Sequence, residues 1–154
     1  MSNKNVNKIY LGAVGSGLPL LTKIKDYLED EYELMDFSDN DKNYVEIGAE
    51  VGKAVSQDQD SFGIIICGNG FGISYGANIY DVRVSNCINL EQVISTREGN
   101  NANVLALGAK FVDEATALNM VETFISTKFA ENIDQDTKEF LQDSFDQITK
   151  LRSI

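Results

Sequence analysis

The sequence predicts an α/β protein, a doubly wound three-layer α/β/α sandwich with a five-stranded parallel sheet and an additional C-terminal helix. Short apolar runs alternate with longer segments of helical periodicity along the chain. Glycine-rich turns follow two of these runs, at 12–17 and 68–72. A length of 154 residues with 43% hydrophobic content is enough for one core, so 1–154 is predicted to be a single domain.

Five apolar and β-branched runs are predicted to be strands. The third run, 62–67, is apolar throughout, which is typical of a strand buried on both faces of a sheet. We therefore expect it to be a central strand. A helical segment separates each run from the next, and this alternation indicates parallel pairing. The predicted strands are 9–13, 32–37, 62–67, 82–87 and 103–108.

The segments between these runs carry apolar residues three and four positions apart, as expected for helices that cover a sheet. The first helix follows residue 17, and a later one begins near Gly72. The other predicted helices are 45–55, 89–98, 113–129 and 136–151. The side chains of the first helix that are predicted to face the sheet are Leu20, Leu21, Ile24, Tyr27 and Leu28.

The last helix follows the final strand, so it has no place in the alternation of strands and helices. It nevertheless carries an apolar stripe, and exposed stripes of this size mark interfaces. We therefore expect the segment 132–154 to pack on another subunit and the protein not to be a monomer. The stripe consists of Phe140, Leu141, Phe145, Ile148 and Leu151.

The charge and composition exclude several classes of function. Thirteen basic residues against 24 acidic ones give a net charge of −11, which argues against nucleic acid and anionic membranes as partners. No apolar run reaches the length of a membrane span, and the N-terminus lacks the apolar core of a signal peptide, so a cytoplasmic location is expected. The chain has no histidine and only two isolated cysteines, which excludes a histidine-dependent catalytic triad, a histidine-ligated metal and a zinc site built by this chain alone. No cofactor is expected.

Cys67 and the loop after it form the candidate site. Gly68, Gly70 and Gly72 leave the main-chain amides of the loop uncovered, and a helix N-terminus follows. This arrangement suits a phosphate group or a developing oxyanion. A thiol at the carboxyl end of a buried strand is a candidate acid, base or nucleophile, although it is also a common core residue.

Two further features of the sequence can be explained by their structural roles alone. Cys87 also ends a predicted strand but lacks a glycine-rich loop, which favours a packing role. The turn at 14–17 offers amides that suit a phosphate, and a tight connection between strand and helix explains it equally well.

Three segments together resemble one enzyme family. They are ICGNGFGIS at 66–74, NNANVL at 100–105 and GAK at 108–110. In order and spacing they are similar to ribose-5-phosphate isomerase B and the two subunits of galactose-6-phosphate isomerase, over 9 to about 129. The resemblance implies a Rossmann-like sheet, no metal, active sites between subunits, and aldose–ketose isomerisation of sugar phosphates through an enediolate.

The resemblance also implies roles for particular residues. Cys67 corresponds to the catalytic base, which moves a proton between the two sugar carbons that exchange the carbonyl group. Gly68, Asn69, Gly70 and Gly72 correspond to the loop whose amides stabilise the enediolate oxygen, with Asn69 where threonine or serine is usual.

Three residues elsewhere correspond to substrate-binding positions of the family. Tyr44 matches a tyrosine that contacts the substrate, Asn100 a sugar-binding asparagine, and Lys110 a basic residue near the phosphate. On the residues alone, Tyr44 is better explained as an aromatic cap on the core or an interface, and Lys110 is equally well explained as a solvated lysine.

Other family positions are changed in this chain. An aspartate–histidine pair after the first strand is replaced by Val14 and Gly15, and the ring-opening histidine by Gly99. Two phosphate-binding arginines would fall at about Ile133 and Thr137. These losses resemble the galactose-6-phosphate isomerase subunit that keeps the cysteine and depends on its partner, but the loss of the aspartate–histidine pair goes further.

Three hypotheses for function remain open. In the first, the chain is one subunit of a sugar-phosphate isomerase whose partner supplies the missing groups. Alternatively, it is a homo-oligomer that has lost activity and binds a sugar phosphate or small anion as a regulator. In the third, the chain is a structural subunit whose glycine-rich loop no longer has a catalytic or binding role.

Overall fold

The computed structural model describes residues 6–153, in which five strands form one parallel sheet. The strands are β1 (Lys8–Ala13), β2 (Glu33–Asp36), β3 (Ser61–Cys67), β4 (Val84–Asn86) and β5 (Val104–Gly108). Their order across the sheet is β2-β1-β3-β5-β4, with every neighbouring pair parallel. This confirms the predicted parallel sheet with the third strand at its centre.

Helices cover both faces of the sheet. They are α1 (Gly17–Leu28), α2 (Tyr44–Ser56), α3 (Phe71–Ala77), α4 (Leu90–Asn100), α5 (Glu114–Ser126) and α6 (Gln135–Arg152). Helices α1, α4 and α5 enclose one hydrophobic core, and α2 and α3 enclose the other. The three-layer arrangement is therefore confirmed.

Strand β3 is buried along its whole length, as the unbroken apolar run predicts. Ile64 and Ile66 point into one core, and Ile65 and Cys67 into the other. Burial on both faces explains why the run does not alternate between apolar and polar residues. It also makes β3 a rigid support for the residues at its carboxyl end.

The structure corrects details of the sequence analysis. Strands β2 and β4 are shorter than predicted, and α5 ends at Ser126 rather than near 129. The prediction that Tyr27 faces the sheet is wrong, because 44% of Tyr27 is exposed and its hydroxyl donates a hydrogen bond to Glu122. The other four side chains of that face are buried, so Tyr27 lies at the border of the apolar stripe.

Helices α2 and α3 approach each other at glycines. A Cβ at Gly48 would overlap the carbonyl oxygen of Ile73, and a Cβ at Gly52 would lie 2.6 Å from the carbonyl oxygen of Ala77. A residue larger than glycine at these two positions therefore forces the helix backbones apart. This close packing sets the position of α3, whose N-terminus carries the glycine loop.

Part of the apolar stripe on α6 packs on its own chain. Phe145 contacts the ring of Phe129 edge to face at 5.5 Å and lies 5.3 Å from the guanidinium carbon of Arg83. Phe140 and Leu151 remain 68% and 60% exposed. One apolar residue of the stripe thus has an intramolecular partner, and the packing of 132–154 on another subunit remains a prediction. Within 6–153, no helix has both the length and the apolar character required to cross a bilayer.

Candidate active site

The candidate site lies at the carboxyl ends of β1 and β3. The chain leaves β1 toward β2 on one side and later returns to place β3 on the other side, so the strand order reverses here. In open α/β sheets such a switch point forms the crevice that takes the ligand. The backbone amide of Val14 donates to the carbonyl oxygen of Ile66 over 3.1 Å and joins the first glycine-rich turn to the end of β3.

Cys67 is the last residue of β3 and keeps 6% of its surface exposed. Its sulfur accepts a hydrogen bond from the backbone N–H of Gly70 over 3.1 Å. In the thiol form, Sγ donates to Oδ1 of Asn69 over 3.8 Å. The sulfur therefore faces the loop and contacts the backbone amide at its last turn before α3.

The loop from Gly68 to Gly70 has a conformation that depends on glycine. Gly70 has φ of +83°, in the left-handed region that side chains other than glycine rarely adopt. Oδ1 of Asn69 accepts the backbone amide of Phe71 over 2.9 Å and so stabilises the start of α3. No hydrogen bond from the backbone N–H of Gly68 or Asn69 is found within 6–153, so these two donors are available to a ligand.

Lys110 lies over this loop. Its backbone amide donates to the carbonyl oxygen of Gly68 over 3.0 Å, and a Cβ at Gly68 would lie 3.6 Å from Nζ of Lys110. In the described part of the chain Lys110 has no carboxylate within 4.0 Å. Its ammonium group is therefore free to neutralise an anion bound at the loop.

Tyr44 borders the other side of the loop. It is the first residue of α2, after an N-terminal capping box in which Asn43 accepts the amide of Glu46. A Cβ at Gly72 would lie 2.7 Å from Cε2 of the Tyr44 ring, so the absence of a side chain at Gly72 admits the ring. Tyr44 is 46% exposed and presents its hydroxyl near the start of α3.

Asn100 does not join the other candidate residues within one chain. It is the last residue of α4 and precedes β5, so it lies at the amino edge of the sheet. Cys67 lies at the carboxyl edge, beside Gly108. The length of β5 alone separates these edges by roughly 13 Å. The structure thus assembles Cys67 and its loop with Tyr44 and Lys110, and leaves Asn100 apart.

Asn86 is a polar residue of the site that the sequence analysis did not select. It ends β4, and its Nδ2 donates to the carbonyl oxygen of Asn69 over 3.4 Å. The signal available in the sequence was a polar side chain near the carboxyl end of the predicted strand 82–87, the edge of the sheet where ligands bind. Its contact with the loop depends on the order of β3, β5 and β4, which the sequence does not specify.

The second thiol, Cys87, has a different environment. Only 2% of it is exposed, and burial raises the pKa of its thiol to about 11. Both cysteines are free. Among the described residues, no three histidine, cysteine or acidic side chains are grouped in a way that holds a metal ion.

Comparisons with known proteins agree with this geometry. The family model described as Ribose/Galactose Isomerase matches residues 9–141. The 4-deoxy-4-sulfo-D-erythrose isomerase of Clostridium sp. (strain MSTE9) is 29% identical over 141 residues, covering 88% of this chain and 89% of that protein. Galactose-6-phosphate isomerase subunit LacA 2 of Streptococcus pyogenes is 31% identical over 124 residues, covering 79% of this chain and 87% of the relative.

A solved structure gives the same result. Ribose-5-phosphate isomerase B of Clostridium thermocellum superposes with a TM-score of 0.81 at 32% identity, over 94% of this chain and 99% of that one. The family resemblance that three short segments indicated is thus confirmed over nearly the whole described chain. The chain belongs to the ribose/galactose isomerase family.

Proposed function

We propose that the chain catalyses aldose–ketose isomerisation of a sugar phosphate through an enediolate, as one subunit of a cytoplasmic oligomer. The observation that carries the proposal is the hydrogen bond from the Gly70 amide to Cys67 Sγ, at the carboxyl end of the central strand. A cysteine sulfur fixed by this contact beside unused backbone donors suits proton transfer next to a carbonyl.

The geometry suggests how the reaction proceeds. The Cys67 thiolate removes a proton from the carbon next to the carbonyl of the open-chain sugar, and the carbonyl oxygen becomes an enediolate oxygen. The N–H groups of Gly68 and Asn69, which lack protein acceptors in 6–153, are placed to stabilise that charge. The Cys67 thiol then returns the proton to the former carbonyl carbon. The hydroxyl proton on the other carbon passes to the enediolate oxygen, so that carbon becomes the new carbonyl and the isomerisation is complete.

Lys110 and Tyr44 are proposed to bind the substrate. The ammonium group of Lys110 lies beside the loop without a carboxylate partner in the described chain, so it is suited to an anionic group of the sugar. Tyr44 borders the N-terminus of α3 and is suited to a hydroxyl group. One relative is named for a sulfonated sugar, so phosphate and sulfonate substrates both belong in the test.

A second subunit is proposed to complete the site. The chain contains no histidine to open a sugar ring, and Asn100 lies at the edge of the sheet opposite Cys67. Asn100 can therefore take part only in a site that includes Cys67 of another subunit. That subunit is either a second copy of this chain or a related chain with the histidine and arginines.

The alternative function is a catalytically impaired homologue that binds a sugar phosphate or small anion as a regulatory or structural subunit. The specific observation in its favour is that no histidine is present anywhere in the sequence. The same loop amides and Lys110 bind the ligand in this alternative, but no turnover follows.

Activity assays separate the two functions. The purified chain, alone and co-expressed with a relative that retains the histidine and arginines, is assayed for ketose formation from ribose 5-phosphate, galactose 6-phosphate and 4-deoxy-4-sulfo-erythrose. We expect little activity from the chain alone and turnover by the complex. No turnover in either preparation, combined with a substrate-induced rise in melting temperature, contradicts the isomerase and favours the binding subunit.

The molecular mass in solution tests the oligomer separately. Light scattering at micromolar concentration is expected to give at least twice the 17.0 kDa of one chain. The physical reason is the exposed apolar surface on α3, just after it and on α6. Phe71, Tyr75 and Ile79 are 51–67% exposed, and Phe140 is 68% exposed. A mass of one chain contradicts the proposal.

A further inference from the structure

We infer that Asn86 is a positioning residue that holds the Asn69–Gly70 peptide in the orientation in which its N–H faces Cys67. The consequence for turnover rests on the proposed function, but the contact itself does not. Asn86 extends from β4, on the far side of β5 from the cysteine. It thereby links a second strand to the reactive sulfur through a single peptide group.

The two hydrogen bonds involve opposite ends of that peptide group. The carbonyl oxygen of Asn69 accepts from Nδ2 of Asn86 over 3.4 Å, and the N–H of Gly70 donates to Sγ of Cys67 over 3.1 Å. A peptide group is planar, so fixing the direction of its carbonyl also fixes the direction of its N–H. Asn86 thus controls whether the sulfur receives a donor.

The Gly70 backbone makes such control necessary. Gly70 has φ of +83°, and glycine adopts positive and negative φ with similar ease. Rotation of the Asn69–Gly70 peptide would turn the Asn69 carbonyl oxygen toward the sulfur and remove the donor. Two electron-rich atoms would then face each other, and the sulfur would have no backbone donor.

The surroundings hold Asn86 in place. Asn86 pairs with Ala106 in the β4–β5 register, and the next amide, that of Cys87, donates to the carbonyl oxygen of Ala106 over 3.3 Å. A Cβ at Gly70 would lie 2.5 Å from Asn86 Nδ2, so the amide packs directly against the glycine. A Cβ at Gly108 would lie 2.6 Å from the Asn69 carbonyl, so the peptide has little room on that side.

The test uses the Asn86→Leu variant, which has nearly the same shape but no donor. The rate of alkylation of Cys67 by iodoacetamide at pH 7 is measured by mass spectrometry of the Cys67 peptide. We expect the rate to fall roughly 3- to 10-fold, because negative charge on the reacting sulfur loses the backbone donor that stabilises it. The greater intrinsic nucleophilicity of a sulfur without that hydrogen bond offsets part of the loss.

Two controls separate positioning from general loosening. Asn89→Ala removes the N-cap of α4, where Oδ1 accepts the amide of Gln92, and leaves the loop untouched. It is expected to lower stability without changing the alkylation rate of Cys67. The buried Cys87 of each variant is an internal control, because loosening of the fold accelerates its labelling.

The direction of the change decides the inference. An alkylation rate of Cys67 that is unchanged in Asn86→Leu, or that rises together with that of Cys87, overturns the positioning role. If Asn86→Leu does not fold, Asn86→Asp takes its place, since the carboxylate cannot donate either and a fall in rate is again expected. An unchanged rate in that variant overturns the inference in the same way.

Turnover distinguishes this inference from the proposed function. If the chain is an isomerase, Asn86→Leu should lower kcat of the assembled enzyme by a similar factor and leave KM nearly unchanged. Slower alkylation without any isomerase activity in the wild-type assembly supports the positioning role and contradicts the proposed function. Alkylation needs no substrate, so a failure of the positioning role can be told apart from a failure of the proposed isomerase function.

Discussion

Replacement of Cys67 by alanine is expected to lower turnover of the assembled enzyme about 10²- to 10⁴-fold. The sulfur is held against the glycine loop by the hydrogen bond from the Gly70 amide, where the proposed proton transfer takes place. Alanine removes the base and leaves the loop and the sheet in place. Steady-state ketose formation measures the effect, and light scattering checks that the assembly persists.

Cys87→Ala is the matched control for this variant. It removes the other thiol, which is buried at the end of β4 and whose pKa burial raises to about 11. We expect a modest loss of stability and nearly unchanged turnover. If the Cys67→Ala assembly retains the wild-type rate, the cysteine is a packing residue and the proposed mechanism is incorrect.

Gly48→Ala is expected to lower the free energy of unfolding by about 3 kcal/mol. The added Cβ overlaps the carbonyl oxygen of Ile73, a backbone atom that cannot move without shifting α3. Because α3 begins at the glycine loop, the same shift should displace the Gly70 amide from Cys67 and slow turnover. Urea denaturation followed by circular dichroism measures the stability.

Gly99→Ala is the matched control for stability. Gly99 lies in α4 and a Cβ there has no atom within 4 Å, so alanine adds helix propensity without a clash. It should raise the free energy of unfolding by about 0.5 kcal/mol. Equal effects of the two substitutions would show that close packing of α2 on α3 does not determine the stability of the fold.

The central part of the fold could be predicted from the sequence because local signals there agree with the tertiary structure. The run 62–67 is apolar throughout since β3 is buried on both faces, and the glycines after it are required by the positive φ of Gly70 and the contact of Gly72 with Tyr44. Lys110 and Tyr44 were placed near this loop by resemblance, and the structure brings both to it.

Other features depend on information that is not local. Helical periodicity placed Tyr27 inward, but its polar hydroxyl reaches Glu122 on α5 and keeps the ring at the surface. Asn100 precedes a strand whereas Cys67 ends one, so parallel pairing puts them at opposite edges, although the resemblance assigned both to substrate chemistry. Asn86 reaches the loop only because β5 lies between β3 and β4.

The central claim is that Cys67 moves the proton between the two carbons of the sugar, and hydrogen exchange with solvent tests it most directly. In D₂O the wild-type assembly, supplied with the sugar phosphate that it converts, is expected to incorporate deuterium at the carbon next to the carbonyl, as followed by proton NMR. The Cys67→Ala assembly should bind the same substrate without incorporation. Incorporation by Cys67→Ala at the wild-type rate would contradict the account.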